Sequence, residues 1–332
     1  MAVEKTLKRI VSIVLISVLP LLPGFALSAL GYPTAVGTWA LASLTVAIAA
    51  LLGDVRIAIF AGIGLSIASF FGYLTAENPW LAMIVMAAST AIYGLCFQRG
   101  IQSALSLAPI ALAFTMAEPT AIAVNESTAF NALLTALIVL GATAWALPIG
   151  WFFGKQLTKP TLHPVSKKRA HIFAALLASA TGVAMWFVSD LKLEHGGAWF
   201  LLTLFVVIQP RMRDTWRKSL ERALGTILGF GIAFAIGTFI SAKPLLYAMG
   251  FICVALATWM FLNPKRSYWQ YATFLTPGIV ILEGTGSSIQ TTDLQRLQFT
   301  LLGVGVALVL LAVLRLITGS DESIDSKAPT AN

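Results

Sequence analysis

Twelve apolar stretches, each about 16 to 25 residues long and separated by short polar or Pro/Gly-rich breaks, constrain this chain more than any other feature. They lie near 11–31, 34–52, 55–75, 79–97, 100–117, 129–153, 170–189, 196–210, 218–240, 244–262, 268–283 and 295–317. Hydrophobic residues make up 58% of the 332 positions and charged residues only 11%, against about 25% charged in a soluble domain. One globular core of this size has no room for so much apolar surface, so most of it faces lipid. The expected fold is all-α: a polytopic membrane protein of about twelve transmembrane helices. The first stretch follows Lys5, Lys8 and Arg9 and is interrupted by Pro20 and Pro23. It is read as a first transmembrane helix rather than a cleaved leader.

Lys and Arg in short loops set orientation. With a cytoplasmic N-terminus, alternating loops place 19 of the 22 Lys and Arg inside and leave only Lys192, Lys243 and Arg296 outside. A missed or invented helix would scramble that asymmetry. Both termini are therefore expected in the cytoplasm of a cell bounded by this membrane. The net charge of +8 is then a topological signal, and nucleic-acid binding is set aside because there is no single-sided soluble basic domain. Cys96 and Cys253 each sit alone in apolar runs and read as small core residues.

The halves resemble each other at an offset of about 165 to 168 residues. Gln98-Arg99 falls on Lys265-Arg266, Pro109 beside Pro277, Gly62-x-Gly64 on Gly229-x-Gly231, and Pro79 near Pro244. This suggests two six-helix modules, 1–153 and 170–319, joined by a basic cytoplasmic linker, 154–169, and followed by a polar tail, 320–332, expected to be disordered. Six is even, so the modules should be related by a pseudo-two-fold along the membrane normal, with substrate between them where helices are interrupted. Pro109 and Pro277 are the candidate interruptions; the alternative for each is a packing kink.

One stretch concentrates polar chemistry. Ile208 to Gly229 reads IQPRMRDTWRKSLERALGTILG, with five cationic side chains in twelve residues. Arg222, Thr226 and Gly229 share a helix face, and Gly225-x3-Gly229 admits a close helix neighbour. Arginines at a membrane surface commonly hold topology. Arg222 lies further in, where a cation costs about 2.5–3.5 kcal/mol, so it calls for protein partners or a wet cavity. A guanidinium matches a carboxylate bidentately. Arg211, Arg217, Arg222, Arg99 and Arg266 are therefore candidate pathway residues, with Gln209 and Thr226 beside them. Tyr268, Trp269 and Tyr271 suit either an interfacial belt or a stacking surface for an aromatic ring.

The Gln209-Pro210 helix end, the R-x4-R-x2-G-T-x2-G spacing (Arg217, Arg222, Gly225, Thr226, Gly229) and, more loosely, QRGIQSALSLAPIALAF from Gln98 to Phe114 resemble the fusaric-acid-resistance, or aromatic acid exporter, family of bacterial inner-membrane proteins. The resemblance implies secondary efflux of small, often aromatic, carboxylic acids, with a periplasmic adaptor and an outer-membrane channel as partners. The chain departs from many such proteins in having only a short linker where they carry a large soluble region.

Nothing in the sequence suggests catalysis, a cofactor or a metal. Gly150-x3-Gly154-Lys155 has the wrong spacing for a P-loop, and the three histidines are scattered. Driving force is expected from the membrane potential, from a proton gradient, or from both. Glu118, Glu283 and Asp190 are the candidate proton carriers, each equally readable as a solvated loop carboxylate. Gly62, Gly64, Gly225, Gly229 and Gly231 are expected to serve helix packing. The alternative readings are a non-transporting scaffold or accessory subunit of an adaptor-linked complex, and a membrane enzyme acting on lipid-linked substrates. The sequence leaves open whether the chain forms a homo-oligomer.

Overall fold

The computed structural model describes residues 15, 18–52, 54–154, 164–210, 212–261, 263, 266–283 and 289–318. They form helices, with no strand among the described residues. In chain order these are α1 (Leu22–Ala29), α2 (Ala35–Leu52), α3 (Val55–Thr75), α4 (Pro79–Leu95), α5 (Ala108–Ala117), α6 (Thr128–Gly154), α7 (Lys167–Asp190), α8 (Glu194–Val207), α9 (Met212–Phe239), α10 (Lys243–Phe261), α11 (Tyr268–Glu283) and α12 (Ile289–Thr318). Most of the linker (155–163), the tail (320–332) and Arg211 lie outside the described residues, as does the Glu283 side chain.

Among the described residues, eight helices are long and apolar enough to cross a membrane: α2, α3, α4, α6, α7, α9, α10 and α12. A bilayer core about 30 Å thick needs about 20 helical residues. At 1.5 Å per residue, the ten residues of α5 and fourteen of α8 cover only about 15 and 21 Å. Both α5 and α8 lie inside the bundle instead. In α8, Ala198 through Leu202, Leu204, Phe205 and Val207 are buried, the all-round burial of a helix enclosed by others.

Two features expected from the sequence take a different form. Residues 100–107 are not helical: Gly100 turns left-handed at φ 71° and ends a short 3-10 turn, Cys96–Arg99. Turn hydrogen bonds then carry the chain to Ala108. Pro109 consequently sits in the first turn of α5, where it removes no helical bond, while Pro277 lies inside α11. The two prolines align in sequence but only Pro277 lies in a helix interior. The other difference is at helix starts. α9 begins at Met212 and α12 at Ile289, six residues earlier than hydropathy suggests in each case, because a helix carries polar side chains through its first turns while its backbone bonds are made internally. Arg222 and Arg296 are thereby drawn deeper than their hydropathy boundaries imply.

Small residues make the close helix crossings, as expected where lipid supplies no hydrophobic drive between helices. A Cβ on Gly94 would stand 2.6 Å from the Ala174 Cα, and one on Gly182 3.2 Å from the Met83 carbonyl. The Thr90 and Thr181 hydroxyls meet at 2.9 Å across the same α4–α7 contact. Gly62 abuts Thr143, and Gly150 abuts Ala47 and Ala50. Helix pairings recur at a spacing of six: α1–α2 with α7–α8, α2–α3 with α8–α9, α2–α6 with α8–α12, α3–α6 with α9–α12, α3–α5 with α9–α11, and α4–α5 with α10–α11. Between the halves, α4 packs on α7 and α5 on α8. A two-fold would add α10–α1 and α11–α2, and neither is among the main packed pairs of the described residues.

Candidate functional site

α9 places Arg222 ten residues beyond its first residue, about 15 Å along the axis. The side chain is fully buried. Its Nη1 donates to the Tyr268 hydroxyl at 3.0 Å, while Nε and Nη2 have no hydrogen-bond partner. A buried guanidinium with open donors is costly, several kcal/mol in order of magnitude, unless an anion completes it. The nearest carboxylate in sequence, Glu221, is engaged elsewhere: Oε1 accepts from Arg217 Nε at 2.8 Å and Oε2 from the Tyr268 backbone N–H at 3.1 Å. Glu221 thus caps the start of α11 and fixes Tyr268 opposite Arg222. Lys218 lies over the Tyr268 ring, 5.3 Å from its centroid.

Tight packing of α9 on α11 holds this geometry. A Cβ on Gly225 would come within 2.6 Å of Ala272 Cβ and 2.7 Å of the Trp269 carbonyl; one on Gly229 would be 2.6 Å from Thr276 Cβ. Gly62 makes a comparable approach in the first half, but at Gly64 and Gly231 a Cβ would meet nothing within 4 Å. The latter two glycines therefore make no close helix contact.

A second arginine, not singled out by the sequence, is also buried. Arg296 was expected in an outer loop; it lies seven residues into α12 and is 1% exposed. Its guanidinium carbon sits 3.8 Å from the Trp199 ring centroid, and Nη1 donates to the Thr276 carbonyl at 3.4 Å. Trp199, on α8, also receives Phe114 of α5 edge-on at 5.0 Å. Tyr271 is within electrostatic reach of both arginines. The missed signal was modest: Arg296 and Thr300 fall on one helical face beside an apolar run.

The remaining candidates are placed as follows. Thr226 is buried with no hydrogen-bond partner for its hydroxyl. Gln209 donates from Nε2 to the Val206 and Ile208 carbonyls, closing the end of α8. Its backbone N–H donates to the Thr215 hydroxyl, which donates in turn to the Gln209 carbonyl. Gln209 is thus a helix-end clasp, suited to the extended backbone required before Pro210. Arg217, Arg99 and Arg266 are exposed, Arg266 over the Trp259 ring at 5.4 Å; none is brought to Arg222. Asp190 is exposed at the end of α7, and Glu118 is half-buried at the end of α5. A separate cavity of about 220 Å³, lined by residues including Tyr73, Glu77, Glu126 and Asn131, belongs to the first half. Among the described residues no group of three or more His, Cys, Asp or Glu side chains could hold a metal.

Among curated proteins and among solved structures, none matches the chain. A family model does match, over the stretch that holds Trp199, Arg222, Tyr268 and Arg296 and that contains the motif from which the resemblance was read. Residues 173–310 match the family described as fusaric acid resistance protein-like.

Proposed function

We propose that the chain is a secondary exporter of small carboxylic acids, aromatic ones included, in a bacterial inner membrane, with both termini cytoplasmic. The observation that carries this reading is Arg222: fully buried, with two open donor nitrogens, beside the Thr226 hydroxyl. An open guanidinium in a low-dielectric site favours a planar monoanion with two acceptor oxygens. The family match supports a membrane transport-related role, and fusaric acid is itself a carboxylic acid on an aromatic ring. Membrane potential is worth about 2.3 kcal/mol per charge per 100 mV, which drives a monoanion out of a negative interior without ATP. A periplasmic adaptor and an outer-membrane channel would complete the route across a double envelope. Glu118, Glu283 and Asp190 are the carboxylates to examine for proton coupling.

The test is uptake of labelled benzoate into inverted membrane vesicles, with potential and pH gradient imposed separately, for the unmodified chain and Arg222→Gln. Potential-driven uptake that drops at least about tenfold in the variant is expected, the loss of one charged hydrogen-bonding partner. No uptake of any carboxylate by correctly inserted protein would favour the scaffold reading instead.

A further inference from the structure

Lys218 passes over the carboxylates beside it. On a helix a lysine commonly pairs with an acidic residue three or four positions away, and Asp214 and Glu221 stand four before and three after. Both are within electrostatic reach of Lys218, yet neither forms an ion pair with it among the described residues. Glu221 is engaged by Arg217 and by the Tyr268 N–H. Lys218 lies instead over the face of Tyr268, its Nζ 5.3 Å from the ring centroid, and is half-buried.

Arg222 stands one turn further along α9, about 6 Å on, on the same face and fully buried. It touches the same tyrosine, Nη1 donating to the Tyr268 hydroxyl at 3.0 Å. The donors left open are Nε and Nη2. In a guanidinium these two N–H groups are parallel and form one edge, the edge that a carboxylate takes bidentately. Tyr268 thus holds Nη1 and leaves the receiving edge free. Its own backbone is fixed: its N–H donates to Glu221 Oε2 at 3.1 Å, and the adjacent Trp269 carbonyl is where Gly225 lets α9 close on α11.

Thr226 follows at the next turn, its hydroxyl buried and without a partner. Lys218, Arg222 and Thr226 therefore form a line of donors at i, i+4 and i+8, leading from a half-buried ammonium to an enclosed polar site. Among the described residues neither cation of this line is paired with a carboxylate. The exposed cations nearby are held elsewhere, Arg217 by Glu221 and Arg266 over Trp259. At the offset of 167 that aligns Gly62 with Gly229, the three positions fall on Leu51, Val55 and Ile59. All are apolar, so a module of this kind assembles without the charges.

We infer that Lys218 is the loading residue of the Arg222 site: it takes up a carboxylate arriving at the end of α9 that loop charge assigns to the cytoplasm, and hands it one turn inward to the Nε–Nη2 edge of Arg222. This rests on the reading of Arg222 as an anion site. A cation held only over a ring face is held weakly, less firmly than by a charge-assisted hydrogen bond, so an arriving carboxylate displaces the ring as the partner of Lys218. The step of about 6 Å keeps the anion within reach of one cation or the other, so it is never left buried without a counter-charge. A compact ammonium on a flexible stem can follow the anion inward, whereas Arg222 is held in place by Tyr268. No covalent bond changes and no proton is transferred.

Benzoate uptake into inverted vesicles, measured from low to saturating concentration, tests this with Lys218→Met, Lys218→Arg and Arg217→Gln. Lys218→Met keeps an unbranched stem and loses the charge. It should lower uptake at low benzoate about tenfold and approach the unmodified maximal rate as benzoate is raised, a change in KM with little change in the maximum. Lys218→Arg, which keeps the charge, should stay within about threefold throughout. Arg217→Gln removes an exposed charge one residue away and should change KM less than about threefold, which separates capture by Lys218 from attraction by surface charge in general. Arg222→Gln, by contrast, should not recover at high benzoate. If Arg222→Gln loses uptake but Lys218→Met equals the unmodified chain at low benzoate, or falls by the same factor at every concentration, loading by Lys218 is wrong and the exporter reading survives. A loss in Arg217→Gln as large as that in Lys218→Met overturns it too. If Lys218→Met does not insert, Lys218→Gln is read by the same criteria. If the unmodified chain carries no carboxylate, both readings fall.

Discussion

Replacing Gly225 by Ala adds one methyl group at the closest point between α9 and α11. The new Cβ would stand 2.6 Å from Ala272 Cβ and 2.7 Å from the Trp269 carbonyl. Carbon atoms pack at about 3.5–4.0 Å, so the helices must part by about 1 Å. A backbone carbonyl cannot swing aside as a long side chain would, which puts the cost toward the upper part of the about 1–3 kcal/mol range for overpacking. The same displacement would lengthen the Arg222–Tyr268 bond from 3.0 Å to about 4 Å, beyond hydrogen bonding. Gly231→Ala on the same helix is the matched comparison, since a Cβ there meets nothing. Both variants gain the same helix propensity, about 1 kcal/mol, so their difference isolates the packing term. Purified variants would be compared by thermal unfolding and in vesicles by benzoate uptake. Gly225→Ala should unfold at clearly lower temperature than Gly231→Ala and transport several-fold more slowly. Equal melting and equal uptake would refute the close α9–α11 approach and its control of Arg222.

Two further expectations follow from other contacts. The Thr90–Thr181 hydroxyl contact at 2.9 Å joins the halves across α4 and α7, and a double-mutant cycle with Thr90→Val and Thr181→Val should give a coupling of about 0.6 kcal/mol, the usual size between membrane helices; zero coupling would mean that each hydroxyl serves only its own helix. Glu221→Gln keeps an acceptor for the Tyr268 N–H and removes only the ion pair to the exposed Arg217, so uptake should stay within about threefold of normal, such surface pairs being worth about 0–1 kcal/mol, while Glu221→Ala leaves that N–H without its acceptor and should lower the rate further.

How much of this could be read before folding depends on the range of the physics involved. Hydropathy and loop charge are local, so the all-helical character and the membrane class are written in the chain. Arg222 was legible for the same reason: it lies within a glycine-spaced run where a cation is conspicuous. Arg296 was not, because the TTDLQ before it is mostly polar, like a surface loop, and only the extension of α12 to Ile289 carries it inward. Pro109 and Pro277 look equivalent in a repeat alignment, yet one begins a helix and the other lies inside one, since the left-handed turn at Gly100 precedes the start of α5.

Amino-acid order alone determined that this chain is helical and must bury its backbone polarity within each segment, because lipid offers no hydrogen bonds. It also determined where close crossings are sterically allowed, through glycine. The tertiary structure decided which glycines are used: Gly225 and Gly229 against α11, but neither Gly64 nor Gly231. It decided, too, that α5 and α8 are enclosed rather than spanning. Finally, it decided that two arginines 74 positions apart flank one helix at successive levels. Those outcomes depend on which faces meet, a property of packing between distant segments that no local pattern encodes.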